Sequence, residues 1–206
     1  MTAPADTVEL LSYPEQQVPA ALRVQVLALQ QLAWPDAPDD PGHEPGHDPG
    51  RDPGHDPLLD PQSLLLVGVA DRTVVAALDV LSKEIVHEGR RYAASGLSRV
   101  VTAPDRRGRG HGRRLVAAAH AAVRDGGADL ALFTCDTPLR GFYESAGWRH
   151  LPGTYLIGGT PEEPFPSFMF DKVTMGDFFS PLAREHAADF LGRNIRLHSG
   201  AIDKLW

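Results

Sequence analysis

The stretch from Val100 to Val116 constrains this chain more than any other, because it can be satisfied only by a strand, a tight turn and a helix in immediate succession. Val100, Val101 and Thr102 are a β-branched run closed by Pro104, which has no N–H to give to a ladder. From Gly112 onward Leu115, Val116, Ala119, Ala122 and Val123 repeat as one apolar helical stripe. Between the two lie Gly108, Gly110 and Gly112, alternating with Arg109, His111 and Arg113. Five arginines, 106, 107, 109, 113 and 114, crowd the head of that helix, where the dipole is already positive and acids are normally favoured. Such crowding is unfavourable unless an anion answers it. Glycines let backbone N–H groups approach a ligand, and the first N–H groups of a helix form a ready phosphate site. A phosphate-bearing ligand is therefore predicted at Arg107, Gly108, Arg109, Gly110, His111, Gly112 and Arg113.

Pattern narrows the ligand. A Walker loop needs G-x-x-x-x-G-K-[ST], and this turn holds no lysine. The dinucleotide fingerprint needs G-x-G-x-x-G, whereas the spacing here is G-x-G-x-G. A nucleic-acid patch is disfavoured because the basic run is short and carries no interleaved aromatics. The plain alternative is a basic strand-to-helix turn with solvated arginines. What the residues do match is R-x-x-G-x-G at Arg107, Gly110 and Gly112, entered from a strand and a proline.

Charge says little about partners once it is located. Of the net −7, residues 36 to 60 hold eight acids against Arg51 alone, so the rest of the 206-residue chain is neutral. The same region repeats PGHE, PGHD, PGRD and PGHD without one apolar side chain, and so reads as a loop insertion over about 35 to 61 in a single domain of residues 1–206. Metal binding by His43, His47 and His55 is the sharper reading of that repeat, but proline at every fourth residue forbids the helix that would gather them, so no metal is expected. Cys135 is the only cysteine, which excludes an intrachain disulfide and suits a reducing compartment. With no apolar span and no charged-then-apolar leader, a cytoplasmic protein with no membrane partner is expected.

Along the chain, Thr7 to Tyr13 reads as a first strand, and a helix runs from Pro19 to about Trp34. Ser63 to Val69 and Val74 to Val80 form a hairpin. The second strand continues through Ile85 and His87 to a turn at Glu88-Gly89-Arg90, and Arg91 to Thr102 is the next strand. Gly126-Gly127 stops the helix, and Leu130 to Cys135 is a short buried strand. A short helix over Pro138 to Ala146 precedes a strand near Trp148 to Leu151. Ser167 to Thr174 is predicted as a last core strand and Ser180 to Leu191 as a closing helix.

The block Phe142-Tyr143-Glu144-Ser145-Ala146-Gly147-Trp148, about 30 residues after the arginine-glycine turn, is a second constellation. Together the two resemble the GNAT superfamily of acyl-CoA-dependent N-acetyltransferases, over roughly residues 64 to 152. The resemblance implies an α/β (α+β) fold, a mixed and mostly antiparallel central sheet flanked by helices. It implies acetyl-CoA (coenzyme A) as co-substrate, with its pantetheine arm paired to the backbone of Val100, Val101 and Thr102 and its pyrophosphate on the amides from Arg107 to Gly112. It implies that Tyr143 is the general acid for the departing thiolate. Many relatives place a basic carboxylate two residues before the first valine of the turn; here that position is Ser98, which can orient a water, with Glu84, His87 and Asp136 as substitutes. The E-G-R turn and the closing Ile202-Asp203-Lys204-Leu205-Trp206 are weakly similar to aminoglycoside 2′-N-acetyltransferases. The expected reaction is therefore direct transfer of an acetyl group to a primary amine of a small molecule, with no nucleic acid involved and a homodimer left open. A protein N-terminus or lysine is the rival acceptor, and a non-catalytic acyl-CoA sensor is the rival of another class.

Overall fold

The structure is a computed structural model that describes residues 7–35, 62–197 and Leu205. The Pro-Gly-His-Asp repeat with His43, His47 and His55, and the chain's end apart from Leu205, lie outside the described residues. In chain order, β1 (Val8–Pro14) leads through a 3-10 turn at Glu15–Gln17 to α1 (Ala20–Ala33). Three antiparallel strands follow, β2 (Gln62–Gly68), β3 (Val74–His87) and β4 (Arg90–Thr102). Next come α2 (His111–Asp125), β5 (Leu130–Asp136), α3 (Arg140–Ser145) and β6 (Arg149–His150). The remainder is β7 (Tyr155–Gly159), β8 (Pro164–Pro166), β9 (Lys172–Phe178), α4 (Pro181–Glu185) and β10 (Asn194–Arg196).

Seven strands make one sheet in the order β1-β2-β3-β4-β5-β9-β6, antiparallel at every step except β4 to β5. This is the mixed, mostly antiparallel sheet flanked by helices expected from the sequence. β2 and β3 read as continuous apolar runs because both of their faces are covered. Leu64, Leu66, Leu78 and Val80 pack with Leu115, Val116, Ala119 and Val123 of α2. Leu65, Val67, Val74 and Ala77 point the other way, onto Val18 and Leu22 at the head of α1. The period of two along each strand sorts neighbouring residues into opposite cores. Burying each such Val or Leu contributes about 1.5 to 3 kcal/mol.

Three expectations need correcting. The last core strand is Lys172–Phe178, while Ser167–Met169 is a 3-10 turn whose Ser167 hydroxyl accepts from the amide of Leu156. The closing helix is broken at His186 into α4 and a 3-10 turn over Ala187–Phe190, which lets Phe190 turn into a core with Tyr92 and Phe178. The strand near Trp148 shrinks to two residues. A small second sheet, β10-β7-β8, has no counterpart in the sequence reading because its strands are only three to five residues long, with glycines in β7 and prolines in β8. Among the described residues no helix is long and apolar enough to cross a membrane, and no group of three metal-ligating side chains gathers.

Candidate active site

β4 is paired with β3 along its length but with β5 at two positions only, Ala94 with Leu130 and Ser95 with Ala131. Beyond Ser95 the two strands diverge, while β5 stays paired with β9 on its other side from Leu130 to Asp136. The edge of β4 from Gly96 to Thr102 is thus left without a strand neighbour on the β5 side among the described residues. A bulge in the β3–β4 ladder falls within the same stretch of β4. Ala77 pairs with Val101 and Asp79 with Ser98, so Arg99 and Val100 together oppose Leu78. Arg99 takes a left-handed φ of 51°, a conformation that costs a residue with Cβ about 1 to 2 kcal/mol. Two ion pairs hold it there: Nε stands 2.8 Å from Asp79 Oδ2, and a terminal nitrogen donates to Glu15 Oε1 at 2.9 Å.

The arginine-glycine turn closes the same end of β4. Gly108 and Gly110 have φ of 74° and 81°, which a side chain would strain, and an added Cβ at either would meet nothing. Gly110 is the N-cap of α2, and no side chain caps that end. Gly112 answers a different need: a Cβ there would lie 2.8 Å from Thr102 Oγ1 and 3.4 Å from Phe142, so its absence lets α2 sit down on β4 and α3. The arginines are not uniformly solvated. Arg106 pairs with Asp105 at 3.3 Å, Arg107 Nε donates to the Thr102 carbonyl at 3.2 Å, and Arg109 donates to the Asp105 carbonyl at 3.4 Å. Arg113 and Arg114 stand exposed, and His111 is buried with Nε2 lacking a partner. An uncapped 15-residue helix headed by left-handed glycines and ringed by guanidinium groups fits a diphosphate.

The second motif is what brings a tyrosine to this corner. α3 ends where Gly147 takes a φ of 99°, and the amides of Ala146 and Trp148 return to the Tyr143 carbonyl. Trp148 is then buried, its Nε1 donating to the Val116 carbonyl of α2 at 3.2 Å. Phe133 stacks edge-on against both Trp148 and Tyr143, at 4.9 and 5.1 Å. The glycine and tryptophan therefore clamp α3 onto α2 and fix the phenol near the end of β5. Burial pushes the Tyr143 phenol up, with Cys135 and Asp136 adding to the shift, so it stays protonated at neutral pH.

Burial likewise pushes the Cys135 thiol up to about 12, with Asp136 adding to it and Lys172 opposing. Since only the thiolate is nucleophilic, native Cys135 is expected to react with an aromatic disulfide reagent at pH 7.5 at least ~10²-fold more slowly than the unfolded chain. Comparable rates in stopped-flow labelling would contradict the buried placement.

The candidate bases separate. Ser98 is buried beside Asp79 on the neighbouring strand. Glu84 stands five residues along β3 from Asp79, roughly 17 Å at 3.4 Å per residue, on the opposite face and ion-paired to Arg91. The structure thus keeps it away from the turn and from the divergence of β4 and β5. His87 sits at the far hairpin, its Nε2 2.9 Å from the Asp189 carbonyl. Asp136 is exposed and pairs with Lys172 at 2.8 Å. Sequence reasoning missed Asp79, although one signal was present: it is the only acid inside the apolar run from Val74 to Leu81. Its Oδ1 accepts from the Ser63 hydroxyl at 2.6 Å. Oδ2 stands 2.8 Å from Arg99 Nε in an ion pair.

Residues 18–151 match the family described as Acetyltransferase (GNAT) domain. No curated protein matches the chain in sequence. Among solved structures, Escherichia coli ElaA is similar at 16% identity with a TM-score of 0.53, over 82% of this chain and 99% of that one. An acyl-CoA N-acyltransferase from Pseudomonas aeruginosa is similar at 17% identity and 0.54, over 82% and 99%. A GCN5-related N-acetyltransferase from Kribbella flavida is similar at 22% identity and 0.51, over 74% of this chain and 36% of that one. These likenesses are of fold.

Proposed function

Because the chain belongs to the GNAT acetyltransferase family and is an acyl-CoA-dependent N-acetyltransferase, we propose that it moves an acetyl group from acetyl-CoA to the primary amine of a small molecule, by direct attack with both substrates bound. The observation that carries this reading is the stretch Val100 to Thr102 of β4, which lies beyond its pairing with β5 among the described residues, running into an uncapped, glycine-headed helix. An extended pantetheine arm would lie along Val100, Val101 and Thr102 as an added strand, and its diphosphate would meet the amides and arginines from Arg107 to Arg113. Holding donor and acceptor together turns a bimolecular step into a positioned one, which contributes up to about 7 to 11 kcal/mol in favourable cases. Tyr143 donates to the developing thiolate. Ser98, in this reading, orients a water beside Asp79.

We take the acceptor to be a polyamine of aminoglycoside type. The cytoplasm is the proposed compartment, and one domain over residues 1–206 the proposed organisation. Thiol release from acetyl-CoA, measured against a panel of alkylamines, polyamines, aminoglycosides and lysine peptides, tests the reading. Turnover at least tenfold above the water background with a small amine is expected; turnover with peptides alone would shift the acceptor to protein lysine or N-terminal amines.

A further inference from the structure

One face of the sheet carries a proton donor and the other a buried carboxylate, which stands on β3, one strand from the edge of β4 that β5 leaves open. Tyr143 belongs to the core between the sheet and α2, with Phe133 and Cys135. Asp79 lies on the face that carries α1, because it is two residues from Ala77, which packs there with Leu65, Val67 and Val101. At a carbonyl under attack, the entering nitrogen and the departing sulfur occupy different sides of the carbon. The two faces suit these roles, with sulfur toward Tyr143 and nitrogen toward Asp79.

Building on the proposed function, we propose that Asp79 is the general base of the reaction, taking the proton that the acceptor nitrogen sheds as it bonds to the acyl carbon. Three observations carry this. Asp79 is in register with Ser98, immediately before the bulge of Arg99 and Val100 and within the stretch Gly96 to Thr102 that β5 does not pair with. Its side chain is buried in an otherwise apolar run, with Oδ1 anchored by the Ser63 hydroxyl and Oδ2 facing Arg99 Nε at 2.8 Å. Arg99 and Glu15 complete a closed set of charges around it, which gives the carboxylate one orientation. The nitrogen lone pair forms the C–N bond and the C–S bond breaks. One proton passes from nitrogen to Asp79, the thiolate is satisfied by the Tyr143 phenol, and Asp79 returns its proton through solvent to the phenolate. The products are one amide and one thiol.

Burial holds the Asp79 carboxyl above the ordinary carboxylate range; Arg99 from β4 and the Ser63 hydroxyl oppose that shift, and Glu15 from the turn after β1 adds to it. On the same face of β3 the next ionisable group is Lys83, whose Nζ donates to the Leu197 carbonyl. A base must be deprotonated to act, so its contribution is lost as pH falls through this raised value.

Asp79→Asn keeps an acceptor for Ser63. With an alkylamine from the panel it is expected to lower kcat/KM at pH 7.5 about 10²-fold, leaving coenzyme A affinity by calorimetry within about twofold. In the acid range the slope of log kcat/KM against pH should fall from about two, for Asp79 and the amine together, to about one, for the amine alone. An unchanged rate or an unchanged slope overturns the assignment, as does a rate loss matched by a loss of coenzyme A affinity. If no amine is turned over, the small-molecule reading fails, and Asp79 is judged on the slow release of thiol to water: at least tenfold slower in the variant supports it, and equal rates overturn it. Independently of any acceptor, carbon NMR titration of the Asp79 carboxyl in the parent chain is expected to give a midpoint above the ordinary value of about 3.9; a midpoint at or below that value overturns the proposal.

Discussion

Gly110→Glu is expected to bind coenzyme A about 10²- to 10³-fold more weakly than the parent chain. Two effects combine. Gly110 sits at a φ of 81°, where a residue with Cβ is strained by about 1 to 2 kcal/mol, so the turn is pulled from the geometry that aims its amides. A carboxylate at the head of α2 also opposes the diphosphate and competes for the same amides, and each hydrogen bond lost to a charged group is worth about 1.5 to 3 kcal/mol. At 1.4 kcal/mol per tenfold, these account for the predicted range. Because an added Cβ meets nothing within 4 Å, the loss does not arise from a clash within the chain. Gly110→Ala carries the strain without the charge and is expected to weaken binding by no more than about tenfold. Calorimetry on the three chains reads both contributions, and equal affinities would remove the diphosphate from this turn.

Tyr143→Phe is expected to lower kcat by ~10² to 10⁴-fold, the usual worth of a positioned proton donor, while coenzyme A affinity and melting temperature change little. The ring is what packs against Phe133 and Phe142, and phenylalanine retains it. Only the hydroxyl is removed. Because burial raises the phenol above its ordinary value, it remains a donor throughout the neutral range, and the parent enzyme should show no alkaline limb from this group below pH about 10. Steady-state thiol release with a saturating amine measures the effect. Retention of more than a tenth of the parent kcat would show that the thiolate is protonated by another group or by water.

The fold was legible wherever one apolar pattern ruled. Val74 to Val80 could be read as a buried strand because its apolar run is short and continuous, and Leu115 to Val123 as a helix because its apolar residues recur at helical spacing. Glycine and proline marked the ends, as at Gly126 and Pro104. The second small sheet and the broken closing helix were not legible, since strands of three to five residues are too short to show a period of their own. Their stability comes from partners distant in sequence, such as the Thr154 hydroxyl donating to the Phe190 carbonyl.

The site divides along the same line. Local chemistry was written in the chain: glycines where the backbone turns left-handed, arginines at a helix head, and a Gly-Trp clamp behind Tyr143. The turn and the helix head depend on residues within a few positions of one another, so their order alone determined them, whereas the clamp is completed by Val116 of α2, 32 residues before Trp148. Tertiary structure decided which carboxylate stands at the bulge. Ser98 occupied the position where a base was sought, yet a carboxylate was supplied across the ladder by Asp79, through a register that pairs residues 19 apart. Sequence order cannot reveal that pairing, because strand register is set by which faces are buried, and those faces exist only once α1 and α2 have closed on the sheet.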